Sequence, residues 1–520
     1  MMKLKKIIAS AAALVLCVSA FSGCGNNGIE NDAQGNKLTY WVPFYAHYQQ
    51  LYTNYSEVPF YQELQKRTNV EIEFIHPTVG QEAQSFSLLI ASGELPDIIE
   101  YSISKYKGGS EKAISDNVIM DLTEIIPEKA PNLNKLLNEH DDWRRLVTTD
   151  AGQYYCFPAI RGDVSLTFWT GPQMRQDYLD AVNMERPETL DEWEAVLTAF
   201  KDQLGIQYPL TFTNSDQAQT LLASPFGVAS ANTFYLDGDT VKYGPLEKGY
   251  EQYLTLLHDW VAKGLVDPDF AVQDSKTFDA KVSSGTAGAY LHSVGGGMGK
   301  YITATKQNNP DARLTAVKFP VINKGDEPKF GFYQPPYIDA QSALISKSCK
   351  NIDAAVRLLD YAYGKEGHMF YNFGTEGTSY VMENDYPKYT EEVTANPEGL
   401  SMQDAMSKYC KAAVLAPMIQ DPRYFEQYMQ TPEQKETANI WKLADTSWAM
   451  PPVTLTTAEA NKISSKQNEI ITYVNETVLK FIMGVEPLSN IESFRETIRT
   501  MGIDSVLATQ QEAYNRFKNR

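Results

Sequence analysis

Between residues 70 and 101 the apolar residues change period, and this switch limits the possible folds more than any other stretch of the chain. In VEIEFIHP, Val70, Ile72 and Phe74 alternate with Glu71 and Glu73, the two-residue period of a half-buried strand. In FSLLIASGELPDIIEY, Phe86, Leu88, Leu89 and Ile90 close a helix, Gly93 supplies its terminus, Pro96 prevents continuation, and Ile98 and Ile99 open a buried strand. Upstream, LTYWVPF carries Tyr40, Trp41, Val42 and Phe44 as a first strand, and a helical stretch over 59–68 separates it from the second. Strand, helix and strand in that order predict a parallel unit with a helical crossover, hence an α/β architecture. Open α/β sheets bind ligands outside the carboxyl ends of their strands, so Tyr101, which follows the third strand, is expected to face a cleft.

The amino terminus sets the compartment. Lys3, Lys5 and Lys6 precede an apolar run over 7–18 broken only by Ser10, too short to span a bilayer comfortably and followed by small residues, as in a cleavable export signal. It ends in FSGC, which resembles the lipobox of bacterial lipoproteins, with Phe21 where that family usually has Leu. The resemblance implies cleavage after Gly23, lipidation of Cys24 and a polar tether through residue 36, which together hold the chain outside the cytoplasmic membrane. No later apolar run approaches membrane length, so the lipid anchor is the expected membrane contact.

Composition excludes several function classes. The chain has 520 residues and a formal charge of −19, and residues 1–23 carry three Lys and no acid, so the processed form is more negative still. That balance opposes nucleic-acid binding, which needs clustered cations, and weakly disfavours a polyanionic ligand. Beyond Cys17 and Cys24 only Cys156, Cys349 and Cys410 remain, with no CxxC pair and no disulfide framework. The six histidines are scattered without an HExxH, there is no GxSxG elbow, and HSVGGGMGKY fails as a phosphate loop because Val294 and Tyr301 occupy two of its required positions. No enzymatic site or cofactor is expected. Aromatic residues make up 12% of the chain, with 31 Tyr, and Tyr offers a flat apolar face plus a hydroxyl, which suits sugar rings.

The segment ASGELPDIIEY resembles the solute-binding proteins of ABC sugar importers, where a small-Gly-acid-x-Pro-Asp-Ile-Ile run leads into the sugar site. Maltose-binding members place a stacking Trp where this chain has Tyr101. ERPETLDEWEAVLTAFKD, with Thr189 and Glu192 forming a capping box and Trp193, Val196, Leu197 and Phe200 on one helical face, is similar to a helix found across extracellular solute-binding proteins, family 1, especially their LipO-type lipoprotein branch. YEQYLTLLHDWVAKGLVDPDF, AAVRLLDYAYGKEG, YNFGTEGTSY and the carboxyl-terminal FIMGVEPL with IRTMGIDSVLATQQEAYNRFK extend the resemblance from about residue 38 to 518. One block departs: where many LipO-type relatives have a calcium loop, this chain has DQLGIQYPL with Asp202 its only acid, so no metal is expected there.

The resemblance implies a two-lobed periplasmic-binding-protein-like fold (type II) with a hinge and an interlobe ligand cleft. The chain would cross between lobes about three times, with 37–158 plus 335–378 forming the first lobe and 159–334 plus 379–520 the second. The implied function is capture of a carbohydrate, an oligosaccharide given the chain length, by a monomer that delivers it to the membrane permease subunits of an ABC importer. A peptide or other non-sugar ligand on the same scaffold, or a surface glycoside hydrolase, are the alternatives. Candidate ligand-binding residues are Trp41, Tyr45 and His47 after the first strand, Tyr101 after the third, Trp169 near the first crossing, His292 before the glycines, and Tyr333 and Tyr337 around Pro335 and Pro336 at the second crossing. Trp448 is a further aromatic of this kind, Asp97 reads as a turn or cap residue, and core packing is the competing role for every one of the aromatics.

Overall fold

A computed structural model describes residues 35–49, 51–330, 333 and 335–520, without the side chains of residues 46, 47, 216 and 217. The export signal, Cys24 and most of the tether lie outside the described residues. In chain order the strands are β1 (Lys37–Trp41), β2 (Glu71–Ile75), β3 (Ile98–Glu100), β4 (Phe157–Arg161), β5 (Thr170–Arg175), β6 (Tyr208–Thr211), β7 (Phe234–Asp237), β8 (Thr240–Tyr243), β9 (Ala287–Ser293), β10 (Leu314–Ala316), β11 (Tyr337–Ile345), β12 (Tyr380–Glu383), β13 (Tyr386–Tyr389) and β14 (Ile419–Gln420).

The parallel unit expected from the sequence is present, with β1 between β2 and β3 and parallel to both. The helix Pro59–Thr68 makes one crossover and the helix Glu82–Ser92 the other, the latter ended by Gly93 in the left-handed region at φ 70°. That second helix buries only Phe86 fully and leaves Leu88 63% exposed, so its apolar face is covered less than its pattern implies.

These strands belong to a six-stranded sheet in the order β14-β4-β11-β3-β1-β2. β11 is antiparallel to β3 and β4, while β14 is parallel to β4, so five of the six strands run one way and end at one edge. A second sheet, in the order β10-β5-β9-β6, has β5 as its reversed strand. Two ribbons, β7-β8 and β12-β13, complete the sheets among the described residues.

Each large sheet has its own apolar core. One core takes residues from Leu38 to Ile160, from Tyr337 to Tyr371 and from Ala416 to Ile419. The other takes residues from Leu166 to Phe330 and much of the chain beyond Phe373. The second is anchored by the helix Leu190–Leu204, where the Thr189 hydroxyl accepts the Glu192 N–H and the Glu192 carboxylate accepts the Thr189 N–H, as the sequence predicts. Trp193, Val196, Leu197 and Phe200 on that helix are buried. The architecture is the two-lobed α/β fold. The chain also returns to the first core through β14 and leaves it again, a passage not expected from sequence because a two-residue strand carries too short a pattern to be read there.

Candidate functional site

The ends of the two sheets meet. β4 and β14 finish side by side, with Ile419 opposite Ile160 and Gln420 opposite Arg161. On the other side Thr170 opens β5 opposite Ser293 at the end of β9, and the Val294 N–H donates to the Trp169 carbonyl at 2.8 Å. Between them lies a cavity of about 150 Å3, lined by Arg161, Leu166, Trp169, Ser293, Gly295, Gly296, Gln403, Ala413, Leu415, Gln420, Tyr424, Phe425 and Tyr428. This is the place that open α/β sheets reserve for ligands.

The aromatic wall comes from the short helix Pro422–Tyr428. Its start is written locally: Asp421 is the N-cap and accepts the Arg423 N–H, and Pro422 takes the first turn. Although burial acts the other way, hydrogen bonds from the Arg423 guanidinium and from His368 Nε2 at 2.9 Å hold the Asp421 carboxyl well below the usual range. The helix projects Tyr424, Phe425 and Tyr428 toward the cavity. The Tyr428 ring lies flush on Gly295, where a Cβ would sit 2.1 Å from Cε1, so only glycine permits this approach. The Tyr428 hydroxyl donates to Gln403 Oε1 at 3.1 Å, and Gln420 Nε2 donates to the Ala412 carbonyl at 2.6 Å and to the Tyr424 hydroxyl at 2.9 Å. Leu415, also in the lining, holds φ at 63°, a costly conformation for a branched side chain that is found disproportionately at ligand sites.

Arg161, at the end of β4, also lines the cavity. Its side chain is buried, Nη1 donates to the Pro335 carbonyl at 2.6 Å, and its N–H donates to the Pro336 carbonyl at 2.8 Å. Burial draws its guanidinium down to about 10.

The structure distributes the sequence candidates unevenly. Trp169 lines the cavity, and Tyr333, half-buried, packs on Phe168 with ring centres 5.7 Å apart. Trp41 ends β1, and Tyr45 and Tyr101 follow β1 and β3 at the same edge of the large sheet. Tyr101 and Tyr45 are half-buried, whereas Trp41 is buried, its ring 5.5 Å from that of Tyr101 in an edge arrangement. His47 falls in the helix Ala46–Gln49, and its side chain lies outside the described residues. His292 is packed between Phe278 and Tyr301, with Nδ1 accepting the Ser293 N–H at 2.8 Å and burial lowering its pKa, so it is neutral at pH 7. Tyr337 is a member of the first core, its hydroxyl donating to Asp339 at 3.2 Å and accepting from Tyr155 at 3.1 Å. Neither His292 nor Tyr337 lines the cavity. Trp448 stacks on Tyr235 under the Lys329 ammonium, also away from it.

Arg161, Gln420, Tyr424, Phe425 and Tyr428 were not legible as site residues. DPRYFEQY does carry a signal, an Asp-Pro helix start with aromatics on one side, but only the fold puts that side opposite Ser293. Among the described residues no group of three His, Cys, Asp or Glu side chains is placed to hold a metal ion, the three remaining cysteines are buried and free, and no helix is long and apolar enough to cross a membrane.

The family model of the bacterial extracellular solute-binding proteins matches residues 50–369, and the chain belongs to that family. The fructooligosaccharide ABC transporter substrate-binding protein FusA of Streptococcus pneumoniae is 27% identical over 249 residues, a stretch that spans 44% of this chain and 45% of that protein. Lipoprotein LipO of Bacillus subtilis is 23% identical over 389 residues, 72% of this chain and 73% of that one. Among solved structures, the alginate-binding protein AlgQ2, solved without calcium ion, matches with a TM-score of 0.77 at 19% identity, over 92% of this chain and 98% of its own. That likeness shows the two-lobed fold. The family is one of binding proteins, and the chain is a binding protein rather than an enzyme.

Proposed function

We propose that this chain is the lipid-anchored capture component of an ABC sugar importer, acting as a monomer that takes up an oligosaccharide between its lobes and presents it to membrane permease subunits. The observation that carries this reading is the cavity itself, where Trp169, Tyr424, Phe425 and Tyr428 offer stacking faces and Gln403 and Gln420 offer amides at the meeting of two sheets' ends. Stacking faces beside fixed polar groups suit the apolar faces and hydroxyl edges of sugar rings. FusA is named for fructooligosaccharides and AlgQ2 for alginate, both glycans of several units.

The remaining parts follow from that reading. Residues 1–23 direct export, Cys24 carries the lipid, and residues through 36 form the tether. The first lobe is 37–158 plus 335–378 and the second 159–334 plus 379–520, with β14 lent back to the first lobe's sheet. Ligand closes the lobes by a hinge, and its differential affinity for the closed state drives the switch. Tyr101 and Tyr45 stand beyond β3 and β1, and β3 lies two strand spacings from β4, roughly 10 Å, so a chain of sugars leaving the cavity would meet them next. Trp41 packs edge-on against Tyr101, His292 braces the end of β9 from between Phe278 and Tyr301, and Tyr337 braces the start of β11 from within the first core.

Thermal unfolding of the purified protein against neutral and acidic oligosaccharides and peptides tests this. A ligand at a hundred times its dissociation constant adds about 2.7 kcal/mol to the folded state, enough for a visible shift. Stabilisation by a glycan, lost in Trp169→Ala and without hydrolysis of that glycan, is the expected result. Stabilisation by peptides alone, or cleavage of the glycan, contradicts it.

A further inference from the structure

We infer that the captured glycan is acidic, and that Arg161 binds its anionic group in the interlobe cavity. The inference rests on the reading of the chain as a glycan-binding protein and adds the chemical class of the cargo. Arg161 ends β4, is 8% exposed, and lines the cavity beside Gln420 and Tyr424. A guanidinium has five N–H donors, and among the described residues one of them is engaged, by the Pro335 carbonyl. No carboxylate among the described residues pairs with it, and the cavity lining contains no Asp or Glu and no second cation. A buried cation without a counter-ion is unfavourable on its own, and the usual remedy is a partner of opposite charge. Here Arg161 belongs to the lining of the space the ligand enters, and its planar fork matches a carboxylate or a sulfate with two parallel hydrogen bonds.

Lys411, the other deeply buried cation nearby, shows the contrast. Its Nζ donates to the Tyr48 hydroxyl at 2.9 Å and lies 4.3 Å from the centre of the Tyr61 ring, inside the first core and outside the cavity lining. It already has its company. The acidic balance of the whole chain does not oppose the inference, because exposed charges beyond about 8 Å are screened at physiological salt. The nearest acid in sequence to Gln420, Asp421, is itself paired with the Arg423 guanidinium and hydrogen-bonded to His368.

The experiment is titration calorimetry of the purified protein with an oligogalacturonate, its methyl ester, a sulfated oligosaccharide and a neutral oligosaccharide of equal length. Expected is tighter binding of the uronate, with affinity lost at least about tenfold on esterification and by the same factor on Arg161→Gln, and no further cost of the ester in that variant. Arg161→Lys retains part of the charge preference without the fork, and the ester comparison needs no variant at all. If the sulfated sugar is the tightest ligand and loses its advantage in Arg161→Gln, the anion is a sulfate and the inference stands. Equal affinity for acid, ester and neutral glycans, or an Arg161→Gln loss that is the same for all of them, overturns it while leaving glycan capture intact. Binding of none of the glycans overturns both readings.

Discussion

Asp97 offers the sharpest test of how the first lobe is held together. It is 1% exposed, its Oδ2 accepts the Thr39 N–H and the Thr39 hydroxyl, each at 2.8 Å, and its own N–H donates back to Thr39 Oγ1 at 2.9 Å. Its carbonyl accepts the Ser346 N–H at 2.9 Å. One side chain thus fastens β1 to the entry of β3, and its backbone fastens the exit of β11. Asp97→Ala deprives two buried donors of their charged acceptor. Hydrogen bonds to a charged group are worth about 1.5–3 kcal/mol each, so the substitution is expected to cost about 3–6 kcal/mol. Asp97→Asn keeps the shape and one acceptor oxygen and is expected to cost about half as much. Urea unfolding followed by tryptophan fluorescence and circular dichroism reads both as a lower midpoint at unchanged slope. An Asp97→Ala protein within about 1 kcal/mol of wild type, or an Asn variant as damaged as the Ala variant, refutes the assignment of the carboxylate as the fastener.

Three further outcomes are expected. Burial raises Glu100 to about 7, against the pull of Lys411 and of the Tyr40 hydroxyl bond, so between its ordinary 4.5 and about 7 the folded chain keeps a proton the unfolded chain has released. That contribution to stability therefore falls as pH rises through the window, and Glu100→Gln should flatten the fall in Tm between pH 5 and 7; an unchanged slope counts against it. Burial lowers Lys411 to about 7, so its contribution has the opposite sign and rises from pH 7 toward 10.5. Gly295→Ala sets a methyl 2.1 Å from Tyr428 Cε1 and must move that ring, so it should weaken glycan binding about tenfold or more. Gly296→Ala, whose nearest atom is Gln403 Oε1 at 3.2 Å, should cost far less, and equal losses in calorimetry would remove Tyr428 from the site.

Local chemistry explains which parts of this molecule could be read from its sequence. Periods of two and 3.6 residues are backbone properties, so β1 to β3, their crossover helices, the Gly93 terminus and the Thr189–Glu192 capping box all appear in the string. β14 has two residues and no period. Arg161 is one cation at the end of a strand, and what singles it out, burial without an acid beside it, depends on residues more than 170 positions away. The aromatics were ambiguous for the same reason: the ring of Tyr337 and the ring of Tyr428 look alike in sequence, yet one is locked among Tyr155 and Asp339 and the other rests on Gly295 at the cavity. A ligand cleft between lobes is assembled from distant segments, and only its aromatic enrichment is visible beforehand.

Tryptophan fluorescence tests the central claim most directly, because Trp169 is the tryptophan in the cavity lining. A saturable change in emission is expected when an oligosaccharide is added to wild type, and loss of that change in Trp169→Phe while calorimetry still reports binding through the retained stacking face. A glycan-induced change that survives in Trp169→Phe, or glycan binding in calorimetry with no change in wild-type emission, places the ligand elsewhere and contradicts the account.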